Sequence, residues 1–308
     1  MASRTILFLA PQERLDAFTA TSALANLLAE EPEAMITIVG HEDSFSFYQD
    51  APARLRFLAY NDLTKRRQQL HLAGQTLGRL YHRVVAFERT RLPYFLWARH
   101  RHIIDIVSHG YMMPHLFDET ESGDDVACSP VLWSNDKRHL PLPENLADDT
   151  PLIVVAPQEA ARAQWTGKLY AELAWRLSDT HPALGQAHII VLAQSTTKDA
   201  AATAIVADIA ANIPAGQRSI LTDLAFAKQV ALMQRARVFL GTDRLMARVA
   251  AAAGTPHIIR FDQAGEAADD PVGRPYSLYT GAQAVDLAAF LAAEIAKSAT
   301  SAELSDSS

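Results

Sequence analysis

Apolar residues fall into short continuous runs separated by amphipathic stretches of helical period. Thr5–Ala10 is such a run, the pattern of a parallel strand buried on both faces. The loop Pro11–Arg14 follows. From Asp16 onward Phe18, Ala20, Ala23, Leu24, Leu27 and Leu28 recur at helical spacing until Pro32. Ala34–Val39 predicts a second strand with Gly40–Asp43 as its turn, then a short helix over Ser44–Asp50 and a short strand over Arg56–Ala59. Leu63–Leu80 predicts a helix, Arg83–Phe87 a strand, Leu92–Ala98 a helix started by Pro93, and Arg101–Val107 another strand. This alternation predicts a doubly wound parallel sheet. Ligands of such sheets bind at the carboxyl ends of the strands, near a switch in strand order.

Periodicity fails between Glu119 and Asp149, Leu140–Glu144 is proline-rich, and an interdomain connection is expected near Pro141–Thr150. A second αβ set follows: strand Leu152–Ala156, helix Trp165–Leu177, strand Ala187–Ala193, helix Lys198–Ala211 and helix Leu224–Arg235. Trp97 and Trp175 occupy apolar helical positions and read as packing residues. Val238–Phe261 then predicts a short strand, the polar turn Gly241-Thr242-Asp243, an Ala-rich helix up to Gly254, and a second strand. A loop runs through Pro275, and Asp286–Ile295 predicts a last helix. The fold class is α/β, with Rossmann-like αβα domains over residues 1–145 and 150–282. A C-terminal helix at 283–297 and a polar tail at 298–308, expected to be disordered, complete the division.

Composition changes this picture little. A chain of 308 residues is long enough for two domains, and 49% hydrophobic with 20% charged residues is ordinary for a globular protein. The single cysteine, Cys128, excludes an internal disulfide framework and a Cys-based zinc cluster. No apolar run reaches the roughly 18 residues of a membrane span. The first run is too short for a signal-peptide core, so a cytoplasmic protein is expected. The net charge of −7 is unevenly spread: from Leu63 to His102 nine Lys/Arg face only Glu88, a net +8. That suggests an anionic partner for this region, or several solvated helix faces that never form one patch. His100, His102, His109 and His115 cluster without a carboxylate at ligand spacing, so no metal is expected. The chain has no Walker A motif and no Gly-x-Gly-x-x-Gly after a strand, against a P-loop NTPase and a standard NAD-dependent dehydrogenase. The Gly241-Thr242-Asp243 turn offers backbone N–H groups and a helix start suited to phosphate, while Asp243 itself reads more simply as an N-cap.

Several stretches carry a likeness in collinear order. Ile6-Leu7-Phe8-Leu9, Arg14-Leu15-Asp16-Ala17, Thr21-Ser22-Ala23-Leu24 and Pro32–Thr37 open it, followed by Tyr81–Arg91. Pro157, Gln164-Trp165 and Tyr170-Ala171-Glu172-Leu173-Ala174 continue it, and Leu224–Phe261 closes it. Together they resemble the ADP-heptose:lipopolysaccharide heptosyltransferases, glycosyltransferase family 9, in a divergent form. The resemblance implies the GT-B fold, two Rossmann-like domains facing across a cleft, with the last helix crossing back to the first domain. It implies an inverting, metal-independent transfer of a sugar, heptose among the candidates. The donor is a nucleotide diphospho-sugar held by the second domain, and the acceptor an anionic glycan or lipid-linked, lipopolysaccharide-type molecule held by the first.

Under that resemblance Asp16 is the general base. The nucleotide-sugar site comprises Gln158, Trp165, Lys168, Thr196, Thr242, Asp243, Arg244 and Arg248, and the acceptor site Arg14, Glu88 and Arg89. No cofactor and no nucleic acid are expected, and the place of work is the cytoplasm or the inner face of the inner membrane.

The chain also departs from the family pattern. Leu15 stands where the family has Gly before the base, and Ala163 where it has Lys, with Arg162 and Lys168 nearby. The family's Asp-Thr-Gly-x-x-His reads Asp243-Arg244-Leu245-Met246-Ala247-Arg248. Arg guanidinium binds phosphate in bidentate fashion, so the donor site is either rebuilt around Arg244 and Arg248 or lost. Asp16 can equally be a helix-start acid favoured by the macrodipole. Two rival readings follow: a catalytically degenerate GT-B protein that binds a partner in a protein complex, and a sugar-nucleotide epimerase of similar two-domain form.

Overall fold

The computed structural model describes residues 4–52, 54–61, 70–71, 74–76, 80–87, 98–103, 130–133, 140–144, 146–157, 171–172, 175, 187–193, 200–261 and 277–279. Element labels run over these residues. Strands β1 (Thr5–Leu9), β2 (Met35–His41), β3 (Arg54–Tyr60), β4 (Tyr81–Ala86) and β5 (Ala98–Ile103) form one sheet in the order β3-β2-β1-β4-β5. Every pairing in it is parallel. Central β1 reads as an apolar run because both its faces are covered, and Ile6, Leu7 and Phe8 are fully buried. Edge strand β3 carries Arg54 and Arg56, charges that blunt an exposed row of backbone groups.

A second sheet joins β6 (Leu152–Ala156), β7 (His188–Ala193), β8 (Arg218–Thr222), β9 (Ala236–Gly241), β10 (His257–Phe261) and β11 (Ser277–Tyr279). Its order is β11-β10-β9-β6-β7-β8, again all parallel. All five residues of β6 are fully buried. The chain divides into two compact units, one around each sheet. Counted from the first strand of each unit, both sheets follow the Rossmann order, with the switch between β1 and β4 in one and between β6 and β9 in the other.

The helix expected from Asp16 to Pro32 is two helices, α1 (Arg14–Thr19) and α2 (Thr21–Glu30). The turn expected at Gly40–Asp43 starts later, because β2 runs through Gly40 and His41. A 3-10 turn at Glu42–Ser44 then leads into α3 (Phe45–Tyr48), where a longer helix to Asp50 was expected. Helices α4 (Ala200–Asn212), α5 (Phe226–Arg235) and α6 (Arg244–Ala253) lie close to their expected bounds. Strand β5 begins at Ala98, three residues before its expected start, and Ala98 is therefore not the end of a helix.

Strands β8 and β11 have no counterpart among the elements that the hydrophobic pattern predicts. Strand β8 is an edge of its sheet, half-buried or exposed at every position but Leu221, so it shows no apolar run. Trp175 is 48% exposed, which corrects its reading as a packing residue. The expected helices at Leu92–Ala98 and Asp286–Ile295, Trp97 and the C-terminal tail lie outside the described residues. Of the helices expected over Leu63–Leu80 and Trp165–Leu177, residues 70–71, 74–76, 80, 171–172 and 175 are described; all are helical except Leu80, which lies outside any helix.

His188, at the first position of β7, is 4% exposed, and its Nε2 lies 2.8 Å from the Ser219 hydroxyl on β8. Burial pushes the imidazole below its ordinary range. As pH falls through about 6.5 the unfolded chain therefore binds this proton before the folded one does. The His188 contribution is complete above that pH and is lost as pH falls below it toward the lowered folded value. A His188→Gln variant, which keeps a polar partner for Ser219 without titrating, is expected to flatten the decline of the urea midpoint between pH 7.5 and 5.5. An identical decline in the variant would remove His188 as its cause.

Candidate functional site

Residue by residue, the turn after β9 shows what it can do. Strand β9 ends at Gly241, in register with Ala156 on one side and Arg260 on the other. A methyl group at position 241 would overlap the Ala156 carbonyl oxygen and stand 3.1 Å from the ring of Phe239. Glycine is thus required here by the close approach of β6 and β9. The Thr242 N–H donates to the same Ala156 carbonyl at 3.3 Å.

Asp243 then caps α6. Its Oδ1 accepts the Met246 N–H at 3.0 Å, and its carbonyl accepts the Ala247 N–H at 3.0 Å. At the far end Gly254 takes the left-handed conformation with φ of 86° that ends a helix. Thr255 donates its N–H to Ala250 and its hydroxyl to the Met233 carbonyl in α5, 3.0 and 2.8 Å away. Gly254 and Thr255 are therefore accounted for by stopping α6 and tying it to α5.

The turn lies beside the β6/β9 switch in strand order, where doubly wound sheets bind ligands. Thr242 and Asp243 are buried, Arg244 is half-buried, and Arg248 is only 5% exposed. Arg244 and Arg248 are four residues apart and share one face of α6. The carboxylate of Asp243 serves the helix end, while Arg244 is the more accessible of the two cations.

In the first unit, the carboxyl end of β1 leads through residues 10–13 into α1, so Asp16 lies beside the β1/β4 switch. Asp16 and Leu15 are half-buried, and Arg14 is exposed. The Arg14 guanidinium lies 5.6 Å from the Phe47 ring centre, so a packing role accompanies any contact with an acceptor.

The carbonyls at the end of α1 are taken up by named donors. The Thr19 hydroxyl bonds Leu15, the Ala20 N–H bonds Asp16, the Tyr48 hydroxyl bonds Ala17, the Thr21 hydroxyl bonds Phe18, and the Ser22 hydroxyl bonds Thr19. Hydroxyls that bond back to preceding carbonyls bend helices, which explains the break at Ala20. Thr21 also accepts the Val131 N–H at 2.9 Å, pinning a distant segment to the same kink. Tyr48 is fully buried, which drives its phenol well above its ordinary value and keeps the hydroxyl a donor. No sequence motif marks Tyr48; the one signal for such a partner is the dense hydroxyl cluster Thr19, Thr21 and Ser22 inside a helical pattern.

Gln158, Trp165, Lys168, Thr196, Glu88 and Arg89 lie outside the described residues. Of the basic residues between 63 and 102, Arg83 is spent on Glu30 at 3.0 Å and Glu31 at 3.5 Å, so it adds no open positive charge. The side chains of the others are not among those described. Among the described residues no three His, Cys, Asp or Glu side chains gather as a metal site, and no helix is long and apolar enough to cross a membrane.

Neither a protein-family model nor a curated protein sequence matches the chain. Solved structures do. The chain is similar to E. coli ADP-heptose lipopolysaccharide heptosyltransferase II, with a TM-score of 0.70 at 16% identity over 97% of this chain and 99% of that one. It is similar to a glycosyltransferase of family 9 from Veillonella parvula, with a TM-score of 0.68 at 12% identity over 90% and 87%. A third is E. coli heptosyltransferase WaaC with ADP-2-deoxy-2-fluoro heptose, with a TM-score of 0.61 at 13% identity over 95% and 99%. The chain has the GT-B fold, as the resemblance implied, and it diverges widely in sequence from the glycosyltransferases that share it.

Proposed function

We propose that the chain is a glycosyltransferase of the heptosyltransferase type, taking its sugar from a nucleotide diphospho-sugar. One observation carries the reading: a polar turn and helix start with Arg244 and Arg248 on one helix face lie beside the switch in strand order of the second sheet. The second unit holds the donor, with Arg244 and the Thr242–Asp243 turn toward the diphosphate and Arg248 beneath them. Gln158, Trp165, Lys168 and Thr196 belong to the same donor site, and Arg14, Glu88 and Arg89 to the acceptor site in the first unit.

In the proposed reaction an acceptor hydroxyl oxygen attacks the anomeric carbon while its proton passes to the Asp16 carboxylate. The bond from that carbon to the diphosphate oxygen breaks, and the nucleoside diphosphate leaves with inverted configuration at the sugar. Arginine and backbone N–H groups meet the leaving charge, so no metal is needed. Heptose as the sugar and a lipopolysaccharide-type acceptor are supported by the likeness to ADP-heptose lipopolysaccharide heptosyltransferase II and to a heptosyltransferase holding ADP-2-deoxy-2-fluoro heptose. The place of work is then the cytoplasm or the inner face of the inner membrane.

A second reading, a catalytically degenerate GT-B protein acting in a complex, is favoured by the same turn. The Asp243 carboxylate is spent on its cap, Arg248 is buried, and Leu245 carries a side chain where the family has glycine. Titration with ADP-, GDP-, UDP- and dTDP-linked sugars separates the two. The transferase reading expects one of them to stabilise the protein by about 2.7 kcal/mol at a hundredfold excess over Kd, read as a raised Tm. No shift with any of the four would leave the degenerate reading.

A further inference from the structure

We propose that Tyr48 is a positioning residue for Asp16, setting the roll of α1 and so the direction of its carboxylate. The inference rests on Asp16 being the base proposed above. Helix α1 has six residues, too few to hold itself by its own ladder. What holds it is α3. The Phe18 and Phe47 rings meet edge to face at 5.4 Å, Arg14 lies over Phe47, and the Tyr48 hydroxyl donates to the Ala17 carbonyl at 2.7 Å. At 3.6 residues per turn Arg14, Ala17 and Phe18 span about 100° of the helix circumference, and Asp16 lies about 150° from the middle of that arc. The face gripped by α3 is therefore opposite the face that carries Asp16. Tyr48 is itself fixed, edge to face with Phe8 of β1 at 6.4 Å and stacked on Phe57 of β3 at 6.1 Å. The sheet thus locates the phenol, the phenol locates the Ala17 carbonyl, and that carbonyl is one residue from the carboxylate. Unlike the donors of the other carbonyl bonds named above, its donor lies outside the α1–α2 segment.

The test compares Tyr48→Phe with Tyr81→Phe, a buried tyrosine at the first position of β4, at the other end of the sheet. With ADP-heptose and a lipopolysaccharide-core acceptor, Tyr48→Phe is expected to lower kcat about tenfold, as a small misplacement of a reacting group does. Its KM for the donor should stay unchanged, and Tyr81→Phe should leave both unchanged. Independently of turnover, the Asp16 carboxyl carbon is followed by NMR in protein labelled at aspartate and assigned through Asp16→Asn. Its titration midpoint is expected to move in Tyr48→Phe and not in Tyr81→Phe. An Asp16 signal unmoved by Tyr48→Phe, or moved equally by both variants, overturns the proposal. So does an unchanged kcat. If the parent protein turns over no donor, the transferase reading fails by itself, and the NMR comparison still decides the role of Tyr48.

Discussion

Gly241→Ala is expected to destabilise the second unit by about 3 kcal/mol, at the upper end of what overpacking costs. At about 2–4 °C per kcal/mol for a unit of this size, its melting transition should fall by about 6–12 °C. The cause is steric. Gly254 is the one glycine with positive φ among the described residues, so Gly241 does not need glycine's conformational freedom. What fills the space of its missing side chain is the carbonyl of Ala156, with the Phe239 ring 3.1 Å away. A flexible side chain could swing aside, but a backbone carbonyl held at the last rung of the β6/β9 ladder cannot. Relief requires β6 and β9 to separate where they are paired in register and where the Thr242 N–H uses the same oxygen. Calorimetry on Gly241→Ala beside Gly216→Ala makes the comparison clean, because nothing lies within 4 Å of a methyl at Gly216. The Gly216 variant should melt close to the parent. Equal shifts in the two variants would mean that the Ala156 contact is not the reason.

The same contact shows what the sequence could and could not tell. Buried parallel strands are legible because both faces demand apolar residues, and β6 was read with its bounds intact: Leu152–Ala156 has no exposed position to break the pattern. Edge strand β8 was invisible because it is covered on too little of its surface to need such a run. The α1–α2 break was invisible for a different reason. Its cause is a set of hydroxyl-to-carbonyl bonds, and one donor, Tyr48, comes from 31 residues further along the chain. Periodicity sees only the continuing apolar face of Phe18, Leu24 and Leu27. At the candidate donor turn the residue types pointed to a phosphate site, but burial is a property of packing. That Arg248 is nearly inaccessible while Arg244 is half-exposed could not be read from two arginines four residues apart. The glycine before them looked like part of a ligand turn, and it is explained instead by strand packing.

The largest effect on chemistry is expected at Asp16. If it removes the acceptor proton, Asp16→Asn should lower kcat by about 10²–10⁴, the usual contribution of a positioned general base. An amide has nearly the same shape and cannot take the proton. The loss should fall on kcat, with the nucleotide-sugar thermal shift intact, because the donor turn belongs to the other unit. Stability should hardly change. Asp16 is half-buried in the first turn of α1, where a carboxylate gains about 0.3–1 kcal/mol from the helix macrodipole, so the amide gives up at most that amount. This small figure makes the variant decisive between the two readings of the residue. Both readings predict at most that small change in Tm; a helix-start acid alone leaves turnover unaltered, whereas a base loses it by orders of magnitude. The pH profile adds a second criterion. The parent rate should rise with pH through the Asp16 titration as the carboxylate becomes able to accept a proton, and the residual rate of the variant should lack that limb. Turnover that survives Asp16→Asn with the parent's pH profile would take the base away from α1 and leave Asp16 as a helix-start residue alone.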